Sequence, residues 1–363
     1  MAQVQLIQSD AELDRLCQAL GAAERVSADT EFHPERAYHP RLMLLQFGVE
    51  GQEPFVVDAL AGLDLRRLGP PLSRVPLIVH GGQADLAILA RHCEAAPRAV
   101  LDTQIMAGFA GMGWPRRLQD VLEPACGVRL EKTETLSDWS RRPLDPAQLR
   151  YAADDVRWLP ALADALAARI EALGNSVWAD LAQEDARTAA LAPPDDSAAW
   201  RRVPGAHLLG DVERSALAAL AAWREGVARR LDQQVGQLVA DSILLDLARR
   251  RPTSVDRMRD NRRMPSQVYK QYGAAILAVL AAAATAAPPP PLPRGARADV
   301  VRAAARAAAG ARGMAVELVL DECELHYTLM GSPPANWRRP ALGSDFEKFM
   351  LGSLSLWVDG RLA

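Results

Sequence analysis

Arg25-Val26-Ser27-Ala28-Asp29-Thr30-Glu31 is the stretch whose reading decides the fold. The apolar run leads into two acids set two positions apart, and residues i and i+2 of an extended strand project from the same face. Asp29 and Glu31 therefore stand side by side at a strand end. Two carboxylates that close repel, and one of them takes up a proton unless a cation compensates. Hard oxygen donors of this kind suit Mg²⁺ or Mn²⁺. A lone Asp-x-Glu is most often two solvated acids on a loop, so its meaning rests on what accompanies it.

Two further segments supply the company. Leu77-Ile78-Val79 reads as a buried strand, His80-Gly81-Gly82 as a turn, and a helix beginning near Gln83 carries Asp85. Asp145-Pro146 then opens a long amphipathic helix, an acid cap followed by proline at the first position. Within it runs Tyr151-Ala152-Ala153-Asp154-Asp155. Tyr151 and Asp155 stand four apart and share a helix face, whereas Asp154 falls off that spacing and is expected to cap or face solvent. Four carboxylates from separate segments, with no matching His or Cys set, favour hard divalent ions over zinc.

Asp29-Thr30-Glu31-Phe32, Tyr38, Pro40, Leu42 to Gln46, His80 to Leu86, Asp102-Thr103-Gln104 and Tyr151 to Val156 together resemble the ribonuclease D family. These are DEDD-type 3′→5′ exonucleases of the tyrosine subgroup. The resemblance implies a ribonuclease H-like (DnaQ-like) mixed-sheet exonuclease domain, followed by all-α HRDC-type helical domains. It implies two divalent metal ions, Mg²⁺ or Mn²⁺, held by Asp29, Glu31, Asp85 and Asp155, with Asp29 shared. Tyr151 would orient the attacking water, completing the catalytic set. Thr30, Phe32 and His80 would contact the terminal nucleotides. The implied reaction releases nucleoside 5′-monophosphates from RNA, the 3′ end of precursor tRNA in particular. Gln83-Ala84 departs from the family, which usually has a small residue and an acid there; Asp85 is kept, but a substrate contact is open to change. A DNA 3′→5′ exonuclease would use the same acids. A catalytically silent RNA-binding scaffold would call for a missing ligand, and none is missing.

The composition agrees with a soluble enzyme of two or three domains. The chain has 363 residues, 49% hydrophobic and 24% charged, as in ordinary globular proteins. No run of about 18 apolar residues is present to span a membrane. The N-terminal residues lack a signal-like basic and apolar pattern. Cys17, Cys93, Cys126 and Cys323 are scattered, as expected of thiols in a reducing cytoplasm. A monomer is expected, since one chain carries the whole acid set. The net charge of −3 argues at first against a nucleic-acid partner, but residues 201–270 hold 14 Lys and Arg against 8 Asp and Glu. The average hides a basic segment beside an acidic one.

Strands are expected over Arg25–Thr30, Arg41–Val49, Pro54–Asp58, Val75–Val79 and Val100–Leu101, first in meander and then alternating with helices. Residues 1–192 are read as the exonuclease domain. Within it the stretch 130–143 is read as an exposed loop, where Lys132, Trp139, Arg141 and Arg142 either meet RNA or, for Trp139, pack on their own domain. Pro193 to Ser197 forms a linker. The helical pattern over 208–287, with Leu217–Leu231, Arg249-Arg250-Arg251-Pro252 and Ala274–Ala284, resembles an HRDC domain. Ala286 to Pro293 reads as a semi-rigid spacer. Residues 295–363 resemble a second, divergent HRDC-like module, with helices expected over 299–310, 316–329 and 346–356. Removing everything after Pro193 is expected to weaken RNA binding more than chemistry on short strands.

Overall fold

The computed structural model describes residues 4–33, 37–130, 137–259, 264–331 and 336–355, so Lys132 lies outside it. A six-stranded sheet is built from β1 (Gln5–Ile7), β2 (Val26–His33), β3 (Arg41–Val49), β4 (Phe55–Asp58), β5 (Leu77–Val79) and β6 (Val100–Asp102), in the order β1-β4-β3-β2-β5-β6. β3 and β4 pair antiparallel, Leu44 opposite Asp58 and Phe47 opposite Phe55. β1 pairs parallel with β4, and β5 pairs parallel with both β2 and β6. The mixed sheet is the expected one, with β1 added: three residues on an edge give no readable alternation.

Helices cover both faces. α1 (Asp10–Ala22) starts from a capping box in which Ser9 accepts from the Glu12 amide and Glu12 reaches back to Ser9. It is followed by α2 (Gly69–Arg74), α3 (Gln83–Cys93), α4 (Thr103–Phe109), α5 (Leu118–Cys126), α6 (Pro146–Arg157), α7 (Leu159–Ala172) and α8 (Ser176–Leu191). Leu13, Leu16 and Leu20 of α1 and Leu86 and Leu89 of α3 bury against Leu45, Phe47 and Val57 of the sheet. Ile78 joins Phe109, Leu162 and Leu166 in another apolar layer.

The compact unit that contains the sheet comprises residues up to 33, then 42–192, and also the chain from Gly295 onward. From that last part come α14 (Ala296–Ala311), α15 (Val316–Val319), α16 (Glu322–Leu329) and α17 (Arg338–Met350). Ala304, Ala305, Ala308 and Phe346 lie in one core with Phe109, Leu162 and Leu166. The Ala315 amide donates to the Gly108 carbonyl (2.9 Å), and the Asn175 amide donates to the carbonyls of Phe109 (3.0 Å) and Arg312 (2.8 Å).

A second compact unit comprises 34–41 and 193–294. Its helices are α9 (Asp211–Leu231), α10 (Val235–Leu238), α11 (Asp241–Arg250), α12 (Val255–Met258) and α13 (Ser266–Ala283), packed around Trp200, Leu217, Leu220, Leu244 and Ile276. Arg224 is buried and donates to the Val239 carbonyl (2.7 Å) and to Asp241 (2.8 Å).

Several helix boundaries depart from expectation. The stretch 316–329 is two helices, because Asp321 caps the second by accepting from the amides of Cys323 and Glu324. The last helix starts at Arg338 and bends at Gly343, whose φ of 83° suits glycine, and Leu356 lies outside the described residues. α9 and α13 begin six and eight positions earlier than read, at Asp211 and Ser266, since their first turns are largely polar and carry little apolar periodicity. Among the described residues, no helix is long and apolar enough to cross a membrane.

Candidate active site

The alternation of β2 sorts its side chains: Ser27, Asp29, Glu31 and His33 share one face, and Ala28, Thr30 and Phe32 the other. α6 covers the first face. The Ser27 hydroxyl donates to the Val156 carbonyl at its end (2.7 Å), and Gly48 of β3 lies under that same carbonyl, where a Cβ would run into the Ser27 hydroxyl. The close approach brings Asp155 down onto the strand. Asp29, Glu31 and Asp155 each offer a carboxylate oxygen within 4.8 Å of the others, the one such grouping among the described residues. Asp85 approaches from α3 on the opposite side. It is 8% exposed, and its Oδ1 accepts a 2.5 Å hydrogen bond from the Thr30 hydroxyl.

Crowding and burial leave these acids reluctant to ionise. Burial first, then the charges of Asp85, Asp155 and Glu31, hold Asp29 well above the ordinary carboxylate range. Glu31 is pushed to about 8 by burial and by Asp155 and Asp85. Asp155 rises to about 7, again chiefly by burial and then by Asp154, against a hydrogen bond from the Tyr151 hydroxyl that favours its charged form. Asp85 is raised by burial, with the Thr30 hydrogen bond opposing. Asp29, Glu31 and Asp155 form an all-oxygen donor set, which fits hard divalent cations; Asp85 is not within that grouping, although its charge acts on all three. Asp154 does not join them; it pairs with Arg157 (3.3 Å), which also binds Glu53 (3.0 Å).

The other expected contacts fall nearby but are engaged. The His80 ring sits between the Thr103 hydroxyl (2.9 Å) and the Arg116 carbonyl (2.9 Å), and burial lowers its pKa. Phe32 packs on the apolar layer under α1 and α3. The Thr30 side chain is committed to Asp85, which leaves its backbone toward the site. The Gly81 and Gly82 amides donate to Asp102 (2.8 and 3.0 Å), which also caps α4 through the Gln104 amide (2.9 Å). Asp102 thereby fixes the turn from which α3 presents Asp85.

Of the stretch before α6 the structure describes residues from Ser137 onward: Asp138, Ser140 and Arg141 are exposed, while Trp139 takes the second of its two readings and packs on its own domain. Trp139 is 3% exposed and packs on Tyr151 (ring centroids 5.9 Å apart) with Met43, Leu44, Leu144 and Ala152. Arg142 makes a two-point ion pair with buried Asp58 (2.6 and 2.8 Å). Burial would raise the Asp58 carboxyl, yet the hydrogen bonds from Arg142, Gln8 and the Leu60 amide hold it below its usual value. These contacts clamp the base of α6, and nothing local in the sequence marks them, since Asp58 and Arg142 are 84 positions apart.

The profile of the 3′-5′ exonuclease family matches residues 4–171, and that of the HRDC domain matches 213–280. Ribonuclease D of Acidiphilium cryptum is 31% identical over 382 residues, covering 98% of this chain and 95% of that protein. Ribonuclease D of Escherichia coli is 32% identical over 284 residues, 76% of this chain and 74% of the relative. The crystal structure of E. coli RNase D, an exoribonuclease involved in structured RNA processing, superposes with a TM-score of 0.78 at 26% identity, covering 96% of this chain and 99% of that one. The catalytic core of RRP6 from Trypanosoma brucei (TM-score 0.55, 22% identity, 78% and 80% covered) shares the fold.

Proposed function

The chain belongs to the ribonuclease D family, a 3′→5′ exoribonuclease dependent on divalent metal, and we propose that Asp29, Glu31, Asp85 and Asp155 hold two such ions, Mg²⁺ or Mn²⁺. The observation that carries this reading is the convergence of Asp29, Glu31 and Asp155 within 4.8 Å, all three with raised pKa. Bound cations would supply an acidified water and neutralise charge on the leaving 3′ oxygen.

The protein's own groups do the rest. Asp29 and Glu31, on one strand face, fix the site to the sheet. Asp85, held by Thr30, and Asp155, held by Tyr151, close it from two helices. Tyr151, whose hydroxyl already donates to Asp155, serves as a donor that orients the attacking water and is not a base. Contacts of Thr30, through its backbone, and of Phe32 and His80 with the terminal and penultimate nucleotides belong to this reading. Repeated hydrolysis releases nucleoside 5′-monophosphates one at a time.

The physiological RNA is, on this reading, the 3′ tail of precursor tRNA. The HRDC module supports it by offering exposed Arg230, Arg249, Arg250 and Arg251 to phosphates. A single chain supplies the whole acid set, which supports a working monomer. Incubation of 3′-extended tRNA with Mg²⁺ tests the proposal by product length and identity. Stepwise shortening in the wild type, and none in Asp29→Asn or Asp155→Asn of unchanged fold, is expected. Undiminished trimming by either variant rejects the site.

A further inference from the structure

Gln46 lies at the middle of β3 and is 0% exposed, yet neither Oε1 nor Nε2 finds a hydrogen-bond partner among the described residues. A side-chain amide so deep and so unsatisfied is rare, because its desolvation is uncompensated. Its surroundings narrow what it can serve. Val56 of β4 is directly opposite on one side. Leu44, Val56 and Ala152 form the apolar cluster under α6 on this face. The other side is β2, and β2 and β3 are neighbours.

Their register follows from two facts. Only residues 34–40 connect them, too few to return a parallel strand, so they run antiparallel. Ser27 faces Gly48: its hydroxyl contacts the Gly48 carbonyl (3.3 Å) and the space a Cβ there would fill. Moving two residues along each strand sets Asp29 directly across from Gln46. Side chains so paired have Cβ atoms about 4.5–5.5 Å apart. Asp29 is thus the polar group that the strand pairing sets beside this amide.

We propose that Gln46 is a positioning residue of the active site: its Nε2, unpaired as it stands, is the donor available to the Asp29 carboxylate when that group ligates cations, and holding it there fixes the oxygens that face them. The inference rests on the metal-site reading above. A carboxylate shared between two ions must hold both oxygens in one orientation, and a donor behind it supplies that constraint. An apolar residue would satisfy the local packing better, which leaves the polar group explained by the site and not by stability.

The test compares wild type, Gln46→Met and Asp29→Asn as full-length proteins. Melting temperature is measured without metal, Mn²⁺ affinity by titration, and kcat and KM on a single-stranded oligoribonucleotide. Gln46→Met is expected to melt at or above the wild-type temperature, to bind Mn²⁺ about 10–100-fold more weakly, and to lose kcat with KM unchanged. A purely structural amide would instead change melting and leave the Mn²⁺ affinity alone. Mn²⁺ affinity and kcat within twofold of wild type in Gln46→Met, while Asp29→Asn loses Mn²⁺, overturns the role of Gln46 and leaves the metal site standing. Wild-type Mn²⁺ binding in Asp29→Asn overturns both. Should Gln46→Met fail to fold, Gln46→Asn, which withdraws the amide by one methylene, is held to the same expectations and the same refutation.

Discussion

Without its cations the protein should become less stable as pH rises from 6.5 to 8, the reverse of a protein held by ordinary ion pairs. A carboxyl whose folded pKa exceeds its unfolded one keeps its proton longer when folded. The stability this confers is complete below the unfolded value, declines as pH rises, and is gone above the folded value. Glu31, raised from 4.5 to about 8, would lose about 2 kcal/mol of this stability between pH 6.5 and 8, out of about 5 over the whole span between its two values. Asp155, raised to about 7, belongs to the same mutual repulsion, so its share is not added. Most exposed carboxylates are fully ionised by pH 6 and do not contribute to the slope. His80, kept neutral by burial, acts with the opposite sign below about pH 6.5, which sets the lower end of the window. For a unit of this size the loss within that window corresponds to roughly 4–8 °C in melting temperature. The assay is thermal denaturation of chelator-treated protein between pH 5 and 9, with and without Mn²⁺. Added Mn²⁺ should raise the melting temperature most near pH 8 and little at pH 5, because ligation requires the deprotonated acids. Glu31→Gln should flatten the metal-free profile and exceed wild type at pH 8. A metal-free melting temperature that is level or rises from 6.5 to 8, or an unchanged slope in Glu31→Gln, refutes the argument.

Gly48→Ala places a methyl against Ser27 and the Val156 carbonyl, and should lift α6 with a loss of about 1–3 kcal/mol in denaturant melts and a fall in kcat through Asp155. Arg142→Ala leaves the buried Asp58 carboxylate unpaired; a loss on the order of 3 kcal/mol is expected, and a change under 0.5 kcal/mol would remove the clamp from the account. Tyr151→Phe should retain Mn²⁺ affinity within a few-fold and lower kcat by about 10²–10³-fold, read by single-turnover nucleotide release. Cutting the chain after Pro193 removes Ala304, Ala305 and Phe346 from the core around Phe109, so it should lower the melting temperature of the sheet-bearing unit as well as RNA binding. Deleting 193–294 alone, bridged by a flexible linker, should instead spare that core and reduce binding to long RNA with a shallower dependence on salt.

The identity of the acid donors was legible in the residues themselves. Asp29 and Glu31 declare a shared face through the two-residue period of a strand, and Tyr151 and Asp155 through the four-residue return of a helix. The cap at Asp145 was legible for the same reason: it acts on amides two and three positions away. Tertiary structure alone decided what depends on distant partners. It turned Trp139 inward onto Tyr151, matched Arg142 to Asp58, and drew the helices after Gly295 into the core around Phe109. It also set Gln46 across from Asp29, a pairing fixed by strand register. Periodicity records which way a side chain points along its own element; it holds no record of what stands on the other side.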